Sequence, residues 1–93
     1  MSIIRKSITI DGRRCKTNEK THEYLAKKKG FPPYYGKNLD ALADVLSSYD
    51  KNITIKLKYS SSIRKNLGEY GDAMLKIFTD SAEKGYITLE IRK

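Results

Sequence analysis

The chain has 93 residues and a single cysteine, Cys15, so we expect one domain over residues 1–93 with neither an internal disulfide nor a cysteine-based metal cage. Hydrophobic residues make up 39% of the chain and charged residues 32%, which is typical of a folded domain and excludes a disordered basic tail. The formal net charge of +8 makes nucleic acid a partner to consider, although charge alone does not select a partner.

The first predicted element is a strand over residues 3–10, which are rich in Ile and Thr. A helix is predicted over residues 17–29, where helix-forming residues follow a polar capping residue. Residues 31–36 (Phe-Pro-Pro-Tyr-Tyr-Gly) cannot form the interior of a helix, so we expect a shaped loop there. The boundary signals are the turn pair Asp11-Gly12, the helix cap Thr17 or Asn18, and the helix stop Gly30.

The next helix is predicted to begin at Asn38 and to run to about Tyr49. At about 100° per residue, its apolar residues fall within an arc of about 120°, the width of a buried stripe. Asp40 and Asp44 lie on the opposite, polar side. The apolar stripe consists of Leu39, Leu42, Val45, Leu46 and Tyr49.

The second half of the chain repeats the alternation of strands and helices. Three strands separated by helices predict an α/β fold with a mainly parallel three-stranded sheet and about four helices, and the short chain favours two layers. The predicted elements are a strand over residues 52–57, a short helix over 60–67 ended by Gly68, a helix from Asp72 with Gly85 as a left-handed cap, and a strand over 86–91.

The sequence lacks the patterns of catalytic and cofactor sites. It has no Gly-rich phosphate loop, no nucleophile elbow and no metal-ligand spacing, and it contains one histidine. On the inner side of its helix, His22 is expected to have a hydrogen-bonded packing role. A nucleophilic pair of Cys15 and His22 is the weaker alternative, and no cofactor or metal is expected.

Asp40 and Asp44 form an acidic pair within a basic protein. They lie one helical turn apart, and neither has a cation three or four residues further along the helix. The segment from residue 34 to residue 50 carries a charge of −2, which leaves +10 on the rest of the chain. Because the rigid, aromatic loop precedes these carboxylates, the pair indicates a binding surface. An ordinary solvated helix face is the simpler alternative.

The run Tyr-Tyr-Gly-x-Asn-Leu-Asp-Ala-Leu-x-Asp-x-Leu, from Tyr34 to Leu46, resembles the core motif of the barstar family of ribonuclease inhibitors. The resemblance extends over nearly the whole chain and implies a barstar-like, three-stranded parallel sheet with about four helices. It also implies a cytoplasmic inhibitor that is not an enzyme, is monomeric when free, and occludes the active site of a ribonuclease or related toxin. We expect a soluble protein without a membrane segment, since Arg5 interrupts the apolar start and no long apolar run follows.

By this resemblance, Asp44 is the carboxylate that enters the phosphate site of the nuclease, and Asp40 is a second charge partner. Two tryptophans that flank the acidic site in the best-known member are replaced by Ala43 and Tyr49, while Lys84 stands in place of a second late acid. The positive net charge also departs from the acidic character of the family. The remaining expected contacts are Tyr34, Gly36, Asn38, Leu39 and Asp80.

Two alternatives keep the predicted fold and change the partner. A barstar-like module could use its basic surface to recognise an acidic protein or another toxin. Alternatively, the chain could bind RNA or DNA directly, although the sequence shows no recognised nucleic-acid motif. The basic residues considered for this role are Arg13, Arg14, Lys16 and Lys27 to Lys29.

Overall fold

The structure is a computed structural model that describes residues 6–49 and 51–93. The described residues form three strands, four α-helices and one 3-10 turn. None of these helices is long and apolar enough to cross a membrane. The elements are β1 (Lys6–Asp11), the 3-10 turn (Gly12–Arg14), α1 (Asn18–Ala26), α2 (Leu39–Ser47), β2 (Ile53–Lys58), α3 (Ser60–Leu67), α4 (Glu69–Glu83) and β3 (Thr88–Ile91).

The strands form one parallel sheet in the order β1-β2-β3, which confirms the predicted α/β class and supplies the strand order that the sequence left open. Ile8 lies opposite Ile55, and both are buried. Because side chains alternate along a strand, the buried residues share one face of the sheet. Thr9, Lys56 and Glu90 lie in register on the other face and are wholly or partly exposed. The helices therefore cover one face, giving two layers.

The core lies between the sheet and the helices. Its largest buried side chains come from strands β1 and β2 and from all four helices, so burial ties each of these elements to the others. Each fully buried aliphatic or aromatic side chain contributes roughly 1.5–3 kcal/mol relative to an exposed one. These side chains include Ile10, Leu25, Leu42, Leu46, Ile55, Leu57, Ile63 and Phe78.

The beginnings and ends of several helices follow the capping signals of the sequence. Thr17 accepts a hydrogen bond from the N–H of Lys20 and is therefore the cap of α1. Gly68, with φ of 58°, separates α3 from α4, and Gly85, with φ of 82°, follows the end of α4 in the left-handed region. These positions confirm the predicted caps and stops.

Helix α1 ends at Ala26, so its predicted extension to residue 29 is wrong. The N–H groups of Lys27 and Lys28 donate to carbonyls three residues earlier, which tightens the last turn. Gly30 then adopts a φ of 108°, and the chain reverses so that Phe31 is buried. The need to bury this aromatic side chain ends the helix before the glycine stop.

Other boundaries shift by a few residues. Helix α2 ends at Ser47, and α4 begins at Glu69 because α3 and α4 meet at Gly68 without an intervening loop. Strand β3 begins at Thr88, since the carbonyl of Tyr86 accepts instead from the N–H of Lys51 outside the strand ladder. Residues 3–5 of the predicted first strand lie outside the described residues.

Candidate functional site

The start of α2 is fixed by Asn38. Its side-chain oxygen accepts a hydrogen bond from the N–H of Ala41 at 2.7 Å, and its backbone is extended with φ of −145°. This arrangement satisfies one of the N–H groups left free at a helix start and makes Asn38 the cap of α2, in agreement with the predicted start of the helix. Asp40 follows in the first turn, where the helix dipole favours a negative charge.

The two carboxylates predicted to face outward, Asp40 and Asp44, are both exposed. Within residues 6–49 and 51–93, neither forms an ion pair with a lysine, arginine or histidine of the chain. The ion pairs there are Arg13 with Asp11, Arg64 with Asp72, and Lys76 with Asp80. The acidic face of α2 is therefore available to cationic groups of another molecule.

The loop before α2 is held by two buried aromatic residues. The rings of Phe31 and Tyr35 meet edge to face, with centroids 5.3 Å apart, and the N–H of Tyr35 donates to the carbonyl of Pro32 at 3.1 Å. Tyr34 lies between these anchors and is 85% exposed. Its aromatic ring thus stands in solvent on the loop that precedes the acidic helix.

Gly36 brings the loop close to α2. A Cβ at this position would lie 3.0 Å from the Cβ of Ala41, which is tighter than an ordinary contact. The side-chain N–H of Asn38 donates to the carbonyl of Gly36 at 3.4 Å. Leu39, the first residue of α2, is partly buried against the core. These contacts bring together the loop and helix start that the sequence singled out.

His22 anchors the same loop from the buried side. Its Nδ1 lies 2.6 Å from the hydroxyl of Tyr35, and its Nε2 lies 2.5 Å from the hydroxyl of Tyr70. One nitrogen donates and the other accepts, as a neutral imidazole requires, and burial lowers the pKa of His22. The imidazole therefore connects α1, the loop and α4, which confirms its predicted hydrogen-bonded packing role.

The structure places Asp80 of α4 near Asp44 of α2. Both residues line a groove of about 280 Å³ between the two helices, together with Ala43 and Lys84. Asp80 is half exposed and forms an ion pair with Lys76 at 3.1 Å. Asp80 thus differs from the carboxylates of α2, because a cation of its own chain partly neutralises it.

Tyr49 contributes to the fold at the end of α2. Its hydroxyl donates to the carbonyl of Gly30 at 2.8 Å, and burial raises its pKa to about 12. The hydrogen bond ties the segment after α2 to the loop after α1. Consequently, the hydroxyl already has a partner, and the exposed part of the ring is what remains for contact with another molecule.

The alternative of a nucleophilic Cys15 finds no support in the geometry. The thiol is fully buried, and burial raises its pKa, so the reactive thiolate is disfavoured. Both ring nitrogens of His22 are engaged by tyrosine hydroxyls rather than by the thiol. In the part of the chain that the structure describes, no group of three or more histidine, cysteine or acidic residues could hold a metal ion.

Sequence reasoning missed the two hydroxyl partners of His22 and the ion pair of Asp80. The spacing of Lys76 and Asp80, one helical turn apart, was a sufficient signal for that pair. Tyr70, in contrast, lies 48 residues from His22, so no local pattern could reveal the contact.

Together, the fold and the site define a small two-layer α/β protein with an exposed acidic helix face. The sequence model of the family described as "Barstar (barnase inhibitor)" matches residues 5–89. The chain is also 39% identical over 80 residues to "Putative ribonuclease inhibitor YrdF" of Bacillus subtilis (strain 168), an alignment that covers 85% of this chain and 88% of that protein. The chain belongs to the Barstar family.

Proposed function

We propose that this protein inhibits a ribonuclease by placing the acidic face of α2 in the cationic active site of the enzyme. The family description and the name of the Bacillus subtilis relative support an inhibitory role rather than an enzymatic one. The observation that carries the proposed mechanism is the exposure of Asp40 and Asp44, which have no cationic partner among the described residues.

In this mechanism, Asp44 takes the place of a substrate phosphate. A carboxylate can accept two parallel hydrogen bonds from one arginine, the geometry that arginine also uses for phosphate. Asp40, one turn earlier, provides a second negative charge for the same cationic site. No bond is made or broken, because the inhibitor acts by excluding the RNA substrate.

The ordered loop supplies contacts beside the carboxylates. The exposed ring of Tyr34 offers apolar area, while Asn38 and Gly36 hold the backbone close to the start of α2. Because the loop is anchored by buried Tyr35, little conformational entropy is lost on binding. Ala43, Leu39 and Tyr49 surround this centre with less aromatic area than tryptophan would provide. Across the groove lies Asp80, which is partly neutralised by Lys76.

The net charge of the chain affects how the partner is reached. Long-range steering toward a basic nuclease is repulsive or weak for a protein with a net charge of +8, so the local acidic surface has to orient the encounter. We therefore expect a modest association rate, with affinity determined mainly by slow dissociation.

An inhibition assay tests this function. Each ribonuclease encoded by the genome that carries this chain is purified, and its RNA cleavage is measured over a range of inhibitor concentrations. Occlusion of the active site predicts competitive inhibition, in which KM for RNA rises while kcat is unchanged. A gene for a small secreted nuclease next to the gene for this chain would identify the first enzyme to assay. Failure to bind or inhibit any of these nucleases would contradict the proposal.

A further inference from the structure

The carboxyl ends of the three strands bring cationic residues to one edge of the sheet. Strand β1 continues into Arg13 and Arg14, β2 ends at Lys58, and β3 is followed by Arg92. Because the strands are parallel and adjacent, these ends meet at the same edge. We call this surface the basic edge, which comprises Arg13, Arg14, Lys28, Lys58 and Arg92 together with the rings of Tyr24 and Tyr59.

Arg13 is held in one orientation at the basic edge. Its Nε and Nη2 donate to the two carboxylate oxygens of Asp11 at 3.1 and 2.9 Å. Its guanidinium lies over the ring of Tyr59, with Cζ 4.0 Å from the ring centroid, and the side chain is 59% exposed. A flat cationic group is thus supported on one side by a ring and remains accessible to a further planar group.

Tyr24 organises two further cations. Its hydroxyl accepts a hydrogen bond from the N–H of Asp11 at 3.0 Å, which fixes the ring beside the end of β1. The Cζ of Arg14 lies 5.3 Å from the ring centroid, and the Nζ of Lys28 lies 4.6 Å from it. Two tyrosine rings therefore position three cations. These side chains have less freedom to move than surface cations that lack such contacts.

The charges at this edge favour an anionic ligand. Asp11 is engaged by Arg13, and Glu90 is the other acidic residue of the strand ends that form this edge. The edge shares no residue with the acidic face of α2 or with the groove between α2 and α4. The molecule thus has separate surfaces of opposite charge, and the inhibition proposed above uses only the acidic one.

We propose that the basic edge binds single-stranded nucleic acid. Exposed bases stack on aromatic rings and on the flat face of arginine, so a base on Arg13 would continue the stack that begins at Tyr59. Arg14, Lys28, Lys58 and Arg92 contact the neighbouring phosphates. A duplex keeps its bases stacked inside and offers phosphates alone. The carboxylates of an acidic protein pair with the N–H edge of an arginine, which Asp11 already occupies in Arg13, rather than with its flat face. A single strand therefore uses both features of the edge.

Fluorescence anisotropy with labelled oligonucleotides tests this proposal without any nuclease present. The probes are single-stranded RNA and DNA of about 12 nucleotides, within the range of sites on one small domain, and the matching duplex. The wild-type chain is expected to bind the single strands more tightly than the duplex, with affinity that falls as salt rises. Equal or tighter binding of the duplex would overturn the proposal, as would stronger displacement by polyglutamate than by unlabelled RNA.

Two variants separate stacking from charge. Arg13→Lys keeps the charge and removes the guanidinium plane, so affinity for the single strand should fall roughly fivefold or more while duplex binding is unchanged. Arg14→Glu combined with Lys28→Glu should weaken binding of both probes and flatten the salt dependence. Circular dichroism and thermal unfolding establish that each variant is folded.

The matched control combines Lys6→Glu with Lys51→Glu, which changes the net charge equally at exposed residues near the amino ends of β1 and β2. This control should bind the single strand much more tightly than the variant of Arg14 and Lys28. Equal losses of affinity in the two variants would show that binding follows total charge alone and would overturn the proposal.

NMR titration of the wild-type chain gives a test that needs no variant. Shifts confined to the basic edge support the proposal, whereas shifts centred on α2 or spread over the surface overturn it.

Discussion

The Nδ1 atom of His22 and the hydroxyl of Tyr35 lie 2.6 Å apart, and their hydrogen bond joins α1 to the loop that precedes the acidic helix. The hydroxyl of Tyr70 on α4 contacts the other ring nitrogen. A neutral imidazole therefore supports the exposed loop from inside the protein. The shape of the proposed inhibitory surface depends on this buried polar contact.

Removal of the Tyr35 hydroxyl should destabilise the protein. Tyr35→Phe leaves a buried ring nitrogen of His22 without its partner, so the free energy of unfolding is expected to fall by about 1–3 kcal/mol. Urea denaturation followed by circular dichroism measures the change. The control Tyr34→Phe alters a side chain that is 85% exposed and should leave stability nearly unchanged. Equal effects of the two substitutions would contradict the role assigned to the buried contact.

Stability should decrease on acidification because of His22. Burial holds the pKa of its imidazole below the ordinary value of 6.5, so the unfolded chain binds a proton more readily than the folded chain. The stabilising contribution is complete above 6.5 and is lost as pH falls through the lower pKa of the folded state. His22 is the one histidine in the sequence, which makes the assignment direct.

Urea denaturation at a series of pH values on both sides of 6.5 measures this dependence. The control is His22→Gln, whose side chain cannot titrate and should show a flatter profile between neutral pH and the range where carboxylates titrate. An unchanged pH profile in this variant would show that other groups cause the acid sensitivity.

Alkaline pH should weaken the contact between Tyr49 and Gly30. Burial raises the pKa of Tyr49 from 10.0 to about 12, so the folded chain retains a phenolic proton that the unfolded chain releases. The associated stability is present below 10.0 and is lost as pH rises toward about 12. Absorbance titration of wild type and Tyr49→Phe checks this assignment, since the variant should lack one late-titrating tyrosine. Loss of an early-titrating tyrosine instead would contradict it.

The cap of α2 should contribute to stability. Asn38→Ala removes the hydrogen bond to the N–H of Ala41 and is expected to lower the free energy of unfolding by about 1 kcal/mol. Asn38→Ser, which can still cap the helix, should recover most of that stability. Thermal unfolding of the two variants makes the comparison, and a Ser variant no more stable than the Ala variant would argue against a capping role.

The parts of the fold that depend on local pattern could be predicted from the sequence. The apolar spacing of α2 gave its buried stripe, and Asn38 and Gly68 marked helix boundaries that the structure confirms. The predicted ends of α1 and α2 were less accurate than the predicted starts. The burial of Phe31 and the contact of Tyr49 with Gly30, which follow these ends, are tertiary interactions. Local propensity contains no information about either contact.

The candidate site likewise has features that local sequence pattern predicts and features that depend on tertiary contacts. Exposure of Asp40 and Asp44 followed from their position opposite the apolar stripe. The support of the loop by Tyr70 could not be predicted, since this residue comes from a helix in the other half of the chain. Likewise, the basic edge forms only when parallel pairing brings together Arg13, Tyr59 and Arg92, which are widely separated in sequence.

The most direct test of the inhibitor mechanism is the inhibition constant of a variant that combines Asp40→Asn with Asp44→Asn. Its matched control combines Glu19→Gln with Glu23→Gln, which neutralises two exposed acids on α1. If the carboxylates replace substrate phosphates, the first variant should lose about 2–5 kcal/mol of binding free energy, while the inhibition constant of the control stays near that of wild type. Unchanged inhibition by the Asp variant, or an equal loss in the control, would contradict the mechanism.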